Sequence, residues 1–345
     1  MVIRILELIE NIMKKINVNN ILLITLFITL VFTKILMAGE SVTNKVRVGT
    51  LQFGTVNWEM DVIQRNQIAE QEDLVLEVVP LASKNAAAVA LQGGAVDIIV
   101  TDWFWVSRQR TNNRNYTFAP HSIASGGILS HSESGIESLK DLEGQKVGIA
   151  GGSVDKSWLL IQAYYKKKYG ENLAEKMIPV FGAPPLLNKI TEKGELSAVL
   201  TYWHYQARLL PLGFNKIFPI KKVFQELNIS DQVPIVGWVF DESWAKENPE
   251  SISKFLKVSA KAKEIMSKSD EEWIKLRKIM KAKDEEIFVA LRDGYREGIP
   301  KSFTEKEISD ARKLFSILAN IGGKKLVGKS RELEYGTFWV NREEE

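Results

Sequence analysis

Residues 138–153 read SLKDLEGQKVGIAGGS, and this stretch gives the clearest indication of the fold class. Its second half contains a short apolar strand, 146–150, which runs directly into a glycine turn at 151–153. The residues that follow, 155–169, have the pattern of a helix. A strand, a tight turn and a helix in immediate succession form the building unit of α/β proteins. The segment therefore predicts a mostly parallel sheet covered by helices.

Strand–turn–helix units occur in both halves of the chain. The segment AVDIIVTDW at 95–103 is echoed by ELSAVLTYW at 195–203, and each is a short buried-type strand that ends in polar and aromatic residues. After residue 249 the pattern is helical almost to the end. These two series predict two lobes: lobe I from 45–124 and 235–345, and lobe II from 125–234.

The first 38 residues predict a signal peptide. An apolar run at 21–33 follows Lys14 and Lys15, and Ala38 offers a small residue for cleavage. A helix of that length is too short for ~30 Å of hydrocarbon, although a run extended to Ala38 keeps a membrane anchor as the alternative. We therefore expect export to the periplasm.

Composition excludes several classes of function. The segment 1–38 holds four of the 46 basic and two of the 43 acidic residues, so the remainder is nearly neutral and offers no field for nucleic acid. The chain has no cysteine, which excludes disulfides, thiolate metal sites, thiol nucleophiles and a lipoprotein anchor. No two histidines have the spacing of metal ligands, and neither a nucleotide-binding glycine pattern nor a nucleophile elbow is present.

The order of these pieces resembles the solute-binding proteins of nitrate, taurine, alkanesulfonate and thiamine-precursor ABC importers. The stretches that carry the resemblance are ALQGGAVDIIVTD at 90–102, SLKDLEGQKVGIAGGS at 138–153, KGELSAVLTYW at 193–203 and WAKENPESISKFL at 244–256. The resemblance implies the periplasmic-binding-protein fold, with two mostly parallel sheets flanked by helices and a ligand cleft between the lobes. It also implies a monomer without cofactor, metal or catalysis, whose partners are a small solute and the permease and ATPase subunits. The solute would be small and organic or an anion, resembling a sulfonate, nitrate or a pyrimidine.

Loops at the carboxyl ends of strands are where open α/β sheets bind ligands, so they supply the candidate site. The predicted lining, from 54–58, 83–85, 101–105, 151–156 and 201–205, consists of Thr55, Asn57, Trp58, Ser83, Lys84, Asn85, Asp102, Trp103, Trp105, Gly152, Ser153, Asp155, Tyr202, Trp203 and His204, with Trp238 as a further candidate. The glycine turn at 151–153 favours an anion at a helix amino terminus, or is simply a tight turn whose Ser153 or Asp155 caps the helix. Lys84 either meets a charged solute or stays solvated, and Asp102 either binds ligand or caps the next turn.

Six of the nine tryptophans fall in or beside predicted strand-end loops. Indole rings stack on planar groups and attract cations, so we expect at least two of them against ligand. If the two strand ends face each other, Trp103 and Trp203 would lie on opposite sides of one solute. Packing between the lobes is the alternative role for these rings.

Two other classes of function remain open on the sequence. The first is an enzyme on the same fold, of a menaquinone- or thiamine-precursor-pathway type; thiamine-pyrimidine synthases of this architecture use a cysteine-rich motif that is absent here. The second is a membrane-anchored sensory module that binds a ligand. Export and the resemblance favour the importer component.

Overall fold

The computed structural model describes residues 44–340, and from Lys45 onward the chain forms one compact unit. Two five-stranded sheets flanked by helices make it a two-lobed α/β protein, as the sequence predicts. We call the part built on the first sheet lobe I and the part built on the second lobe II. The predicted signal peptide, 1–38, lies outside the described residues.

Ten strands form the two sheets. In chain order they are β1 (Asn44–Leu51), β2 (Leu74–Leu81), β3 (Ile98–Thr101), β4 (Tyr116–Ser122), β5 (Gly127–His131), β6 (Lys146–Ala150), β7 (Ile178–Gly182), β8 (Ala198–Thr201), β9 (Phe214–Pro219) and β10 (Val236–Asp241). The order in lobe I is β2-β1-β3-β10-β4, and the order in lobe II is β7-β6-β8-β5-β9. The two orders match strand for strand. β3 and β8 lie in the centre of their sheets, and the strands that arrive from the other lobe, β10 and β5, lie between the central strand and an edge strand.

Helices cover both sheets. They are α1 (Val56–Arg65), α2 (Lys84–Gln92), α3 (Trp103–Arg110), α4 (Lys156–Tyr169), α5 (Leu173–Lys176), α6 (Pro184–Glu192), α7 (Trp203–Leu209), α8 (Ile220–Glu226), α9 (Glu242–Glu247), α10 (Pro249–Lys268), α11 (Asp270–Met280), α12 (Glu285–Glu297) and α13 (Glu305–Val327). Side chains cap many of them: Thr304 and Glu307 form a capping box at α13, which satisfies amide groups that the first turn leaves free.

The sheets are mixed rather than mostly parallel. β1 and β3 are parallel, as are β6 and β8, but β10 runs antiparallel to β3 and β5 runs antiparallel to β8. β10 and β5 each follow a crossover between the lobes. They start beside the last residues of β3 and β8, since Gly237 pairs with Thr101 and Gly127 with Thr201. A strand that starts where its neighbour ends must run antiparallel to that neighbour.

The long helix α13 packs against α3 of lobe I and α4 of lobe II. Accordingly, one hydrophobic cluster contains Phe104 from α3, Leu159 from α4 and Phe315 from α13. Within residues 44–340, no helix is both long and apolar enough to cross a membrane.

Candidate functional site

A cavity of about 480 Å³ lies between the two lobes. Lobe I contributes the ends of β1 and β3, and lobe II contributes the first residues of α4 and α7. Residues 121–122, 124–126 and 235–236, next to the two crossovers, also line it. The cavity therefore lies at the carboxyl ends of parallel strands, where α/β sheets present free backbone groups and helix amino termini.

An ion pair joins the lobes across this cavity. Asp102 follows β3 and caps α3 by accepting a hydrogen bond from the Trp105 amide at 3.1 Å. Its other oxygen, Oδ2, accepts from Nζ of Lys156, the first residue of α4, at 2.7 Å. Burial alone would raise the pKa of Asp102, but Lys156, Lys84 and the Trp105 amide outweigh burial and hold that pKa below its usual value. The carboxylate is therefore ionised and ties lobe I to lobe II.

Asp155, one residue before Lys156, is a second carboxylate in the wall. Its Oδ1 accepts from the Ser157 and Trp158 amides at 2.9 and 3.2 Å, so it caps α4. Burial raises the pKa of Asp155, and the charges of Lys156 and Lys84 and the two amides offset part of that rise. Across the cavity, Lys84 Nζ lies 5.6 Å from the ring centroid of Tyr202. Lys84 and Tyr202 thus form a second polar contact between the lobes.

Three buried polar atoms of cavity residues have no hydrogen-bond partner within residues 44–340. They are Oγ1 of Thr50, Nδ1 of His121 and Nδ1 of His204. Burial, with a smaller effect of Arg208, lowers the pKa of His204 to about 4, and burial also lowers the pKa of His121 well below its ordinary value. Both imidazoles are therefore neutral near pH 7, and each has one donor and one acceptor nitrogen. Nδ1 of His121 lies 3.6 Å from Oε2 of Glu59. Because buried polar atoms are rarely left unsatisfied, the Thr50 and His204 atoms point to a bound molecule or water.

A buried acid–base cluster lies next to His121, on the side away from the cavity. Glu59 accepts from the Ser259 hydroxyl at 2.6 Å and from the Tyr295 hydroxyl at 3.0 Å. Lys263 donates to the His121 carbonyl at 2.9 Å and acts on the Glu59 charge. Burial raises the pKa of Glu59 and lowers that of Lys263, and each charge offsets part of the other's shift. Because His121, Lys263 and Tyr295 line the cavity, this cluster fixes their positions.

Seven of the predicted site residues line the cavity. They are Thr55, Lys84, Asp102, Asp155, Tyr202, Trp203 and His204. They come from five strand-end segments that are far apart in sequence, and the fold brings these segments together at one place. For Asp102 the capping alternative is confirmed, and its other oxygen accepts from Lys156.

Eight others do not line it: Asn57, Trp58, Ser83, Asn85, Trp103, Trp105, Gly152 and Ser153. Asn57 donates its side-chain amide to the Leu51 carbonyl, and Ser83 caps α2 through the Ala86 amide, so these two residues shape loops. Gly152 has φ +85° and belongs to the turn before α4, so the tight-turn alternative describes it.

The prediction that Trp103 and Trp203 lie on opposite sides of one solute is wrong, because Trp103 is buried in the core. Trp103 is 1% exposed, stacks on Phe104 and donates its indole N–H to the Pro234 carbonyl at 2.8 Å. It is the first residue of α3, and the helix turns this ring into the core while Asp102 keeps the cavity face. The further candidate Trp238 is also buried, with its indole N–H donated to Ser259.

Trp203 does line the cavity, and it also crosses between the lobes. Its ring meets Trp58 of lobe I edge-on at 6.0 Å and Tyr295 at 6.4 Å. Trp203 therefore packs between the lobes, and its contact with a solute stays a prediction.

Comparison with known proteins places the chain in a family. The family profile described as NMT1/THI5 like matches residues 70–272, which is 203 of the 345 residues, and the chain belongs to this family. No curated protein matches the sequence significantly.

Solved structures share the fold at low sequence identity. The periplasmic aliphatic sulphonate binding protein SsuA from Escherichia coli superposes with a TM-score of 0.69 at 16% identity, covering 86% of this chain and 92% of its own. An ABC transporter from Parabacteroides distasonis gives a TM-score of 0.66 at 11% identity, with 87% and 100% covered. The alkanesulfonate-binding protein SsuA from Xanthomonas axonopodis pv. citri, bound to MOPS, gives 0.64 at 11% identity, with 86% and 98% covered. These likenesses establish the two-lobed binding-protein fold.

Proposed function

We propose that the protein is the solute-binding component of an ABC importer. It captures a small organic solute or anion between its lobes, outside the cytoplasmic membrane, and delivers it to a permease that works with an ATPase. The observation that carries the proposal is the interlobe cavity, which is lined by Thr50 and His204, whose buried polar atoms Oγ1 and Nδ1 have no hydrogen-bond partner among the described residues.

Size and chemistry of the cavity support this function. Small-molecule sites have volumes of about 300–1,000 Å³ and combine apolar walls with a few fixed polar groups. The cavity holds about 480 Å³, and its wall combines aromatic rings such as Trp203 and Tyr205 with the polar atoms described above. Structural neighbours include sulphonate-binding proteins, which supports a sulfonate-like solute beside the nitrate- and pyrimidine-like alternatives.

Closure of the lobes is the proposed mechanism of capture. We place the hinge at the two crossovers, near 124–125 and 234–235, so that lobe I comprises 45–124 and 235–345 and lobe II comprises 125–234. Ligand contacts from both lobes stabilise the closed state only when a solute is present, which provides a signal for the permease. Cleavage after Ala38 would release the protein into the periplasm, and mass spectrometry of the exported protein should find a start near Gly39.

A thermal-shift screen of the purified full-length chain tests the function. Sulfonates, nitrate and pyrimidines are the solutes to include, because a ligand at ~100 times its Kd stabilises the fold by about 2.7 kcal/mol. His204→Ala should abolish the shift, whereas His131→Ala, at a histidine outside the cavity, should retain it. Recovery of the unchanged solute after release supports binding without turnover, and a converted solute would favour the enzyme alternative. A panel without any hit, or a hit unaffected by His204→Ala, would contradict the proposal.

A further inference from the structure

We infer that the ion pair between Asp102 and Lys156 makes the cavity select solutes without net charge, either neutral or zwitterionic. The inference rests on the proposed function and goes beyond it, because it names the charge class of the solute and disfavours simple ions such as nitrate.

The first step is the position of the pair. Asp102 belongs to lobe I and Lys156 to lobe II, and their side chains meet at 2.7 Å in the cavity wall. Their side chains are only 13% and 24% exposed, so water provides little compensation if one of them loses its partner. Each lobe thus carries one partly buried charge that the other lobe neutralises.

The second step is the balance of the remaining charges. Among the described residues, the cavity is also lined by Lys84, Asp155 and Lys263, and Glu59 lies directly behind its wall. Lys84 acts on Asp155 as well as on Asp102, and Lys263 acts on Glu59. Three lysines therefore accompany three carboxylates, so the formal charges around the cavity sum to zero, and among the described residues Asp102 and Lys156 are the two of these groups that form a direct ion pair.

The third step is the cost of upsetting this balance. An anion that binds Lys156 takes it from Asp102 and leaves a buried carboxylate without its strongest partner. A cation that binds Asp102 does the same to Lys156. Breaking one side of a buried pair costs more than the pair contributes, because the remaining charge has lost its hydration. A neutral solute leaves the pair intact, and a zwitterion inserts between its two members and gives each a new partner.

The test measures binding by calorimetry to the full-length chain and three variants: Asp102→Asn, Lys156→Met and the double variant. The probes form a panel of anionic, cationic, zwitterionic and neutral solutes smaller than the cavity, represented by ethanesulfonate, ethanolamine, taurine and cytosine. The wild-type chain should bind its tightest neutral or zwitterionic probe about tenfold or more tightly than any singly charged one. Asp102→Asn should shift the preference toward anions, and Lys156→Met toward cations. The double variant should again favour neutral probes.

The outcomes separate this inference from the proposed function. If a singly charged probe binds the wild type most tightly, or if the ranking is identical in all four proteins, the charge selection is wrong while solute binding stands. If no probe of any class binds the wild-type chain, both the inference and the proposed function are overturned. Lys221→Met, which removes an exposed lysine paired with Asp231 far from the cavity, is the control that should leave the ranking unchanged.

Discussion

At the scale of single residues, the difference between Asp102 and Trp103 defines the site. These neighbours lie at the end of β3, yet one faces the cavity and the other is buried in the core. The strand end alone does not decide which side chain faces the ligand, because the first turn of α3 rotates successive residues by about 100°.

This contrast predicts different effects of two tryptophan substitutions. Trp103→Ala should lower the free energy of unfolding by about 3–5 kcal/mol, since it empties a core position. Trp203→Ala should weaken solute binding about five- to a hundredfold, the range measured for aromatic stacking, because this ring lines the cavity. Urea denaturation and calorimetry separate the two effects. Wild-type stability together with lost affinity in Trp103→Ala would restore the original pairing of the two rings around a solute.

The neutral histidines predict a dependence of stability on pH. Burial lowers the pKa of His204 to about 4 in the folded state, against about 6.5 in the unfolded chain. The unfolded state therefore binds more protons between these values, so stability is fully present above about pH 6.5 and is lost as the pH falls toward about 4. His204→Asn should flatten this dependence in urea denaturation at pH 7 and pH 5, and His131→Asn should not. An unchanged slope in His204→Asn would show that another group controls acid unfolding.

At the scale of elements, one glycine produces the kink in α13. The helix is interrupted at Gly323, whose φ of 53° and ψ of −154° suit only glycine. Beyond this kink the chain returns to lobe I, where the Ser330 hydroxyl hydrogen bonds with Thr111 just after α3. The kink thus lets one helix contact both lobes before the chain turns back.

Gly323→Ala should lower the free energy of unfolding by about 1–3 kcal/mol through backbone strain, since open space surrounds the position where a Cβ would be. Gly322→Ala tests packing instead, because a Cβ there would lie 2.8 Å from Leu159 and from Leu326. Ser316→Ala, on the exposed face of the same helix, is the control and should change stability by less than about 0.5 kcal/mol. Equal stabilities of Gly323→Ala and Ser316→Ala would mean that the kink carries no strain.

The elements also explain how far the sequence could lead. Strands such as β3 and β8 were predictable because short apolar runs ended in turn residues, and the segments that follow these two strands supply Asp102, Tyr202, Trp203 and His204 to the cavity. His121, Lys263 and Tyr295 lie in β4, α10 and α12, outside the predicted strand-end loops, so the sequence did not single them out. They reach the wall only through the tertiary packing around Glu59, which no local pattern encodes.

At the scale of the whole molecule, contacts on two flanks enclose the cavity. On one flank α7 of lobe II packs against α12, and Arg208 donates to the Met280 carbonyl at 2.7 Å. On the other flank α13 joins α3 and α4. Between them, Gly126 approaches the Thr201 carbonyl so closely that a Cβ would collide with it, which brings the crossover against β8. These contacts hold the two lobes together around the cavity.

The most direct test is a crystal structure of the chain with the tightest solute from the thermal-shift screen. We expect the unchanged solute in the cavity between the ends of β1 and β3 and the starts of α4 and α7, in contact with both lobes and within hydrogen-bond distance of His121 or His204. A solute bound elsewhere, such as in the separate pocket between α10 and the start of α13, would contradict the account, as would a solute that contacts one lobe only.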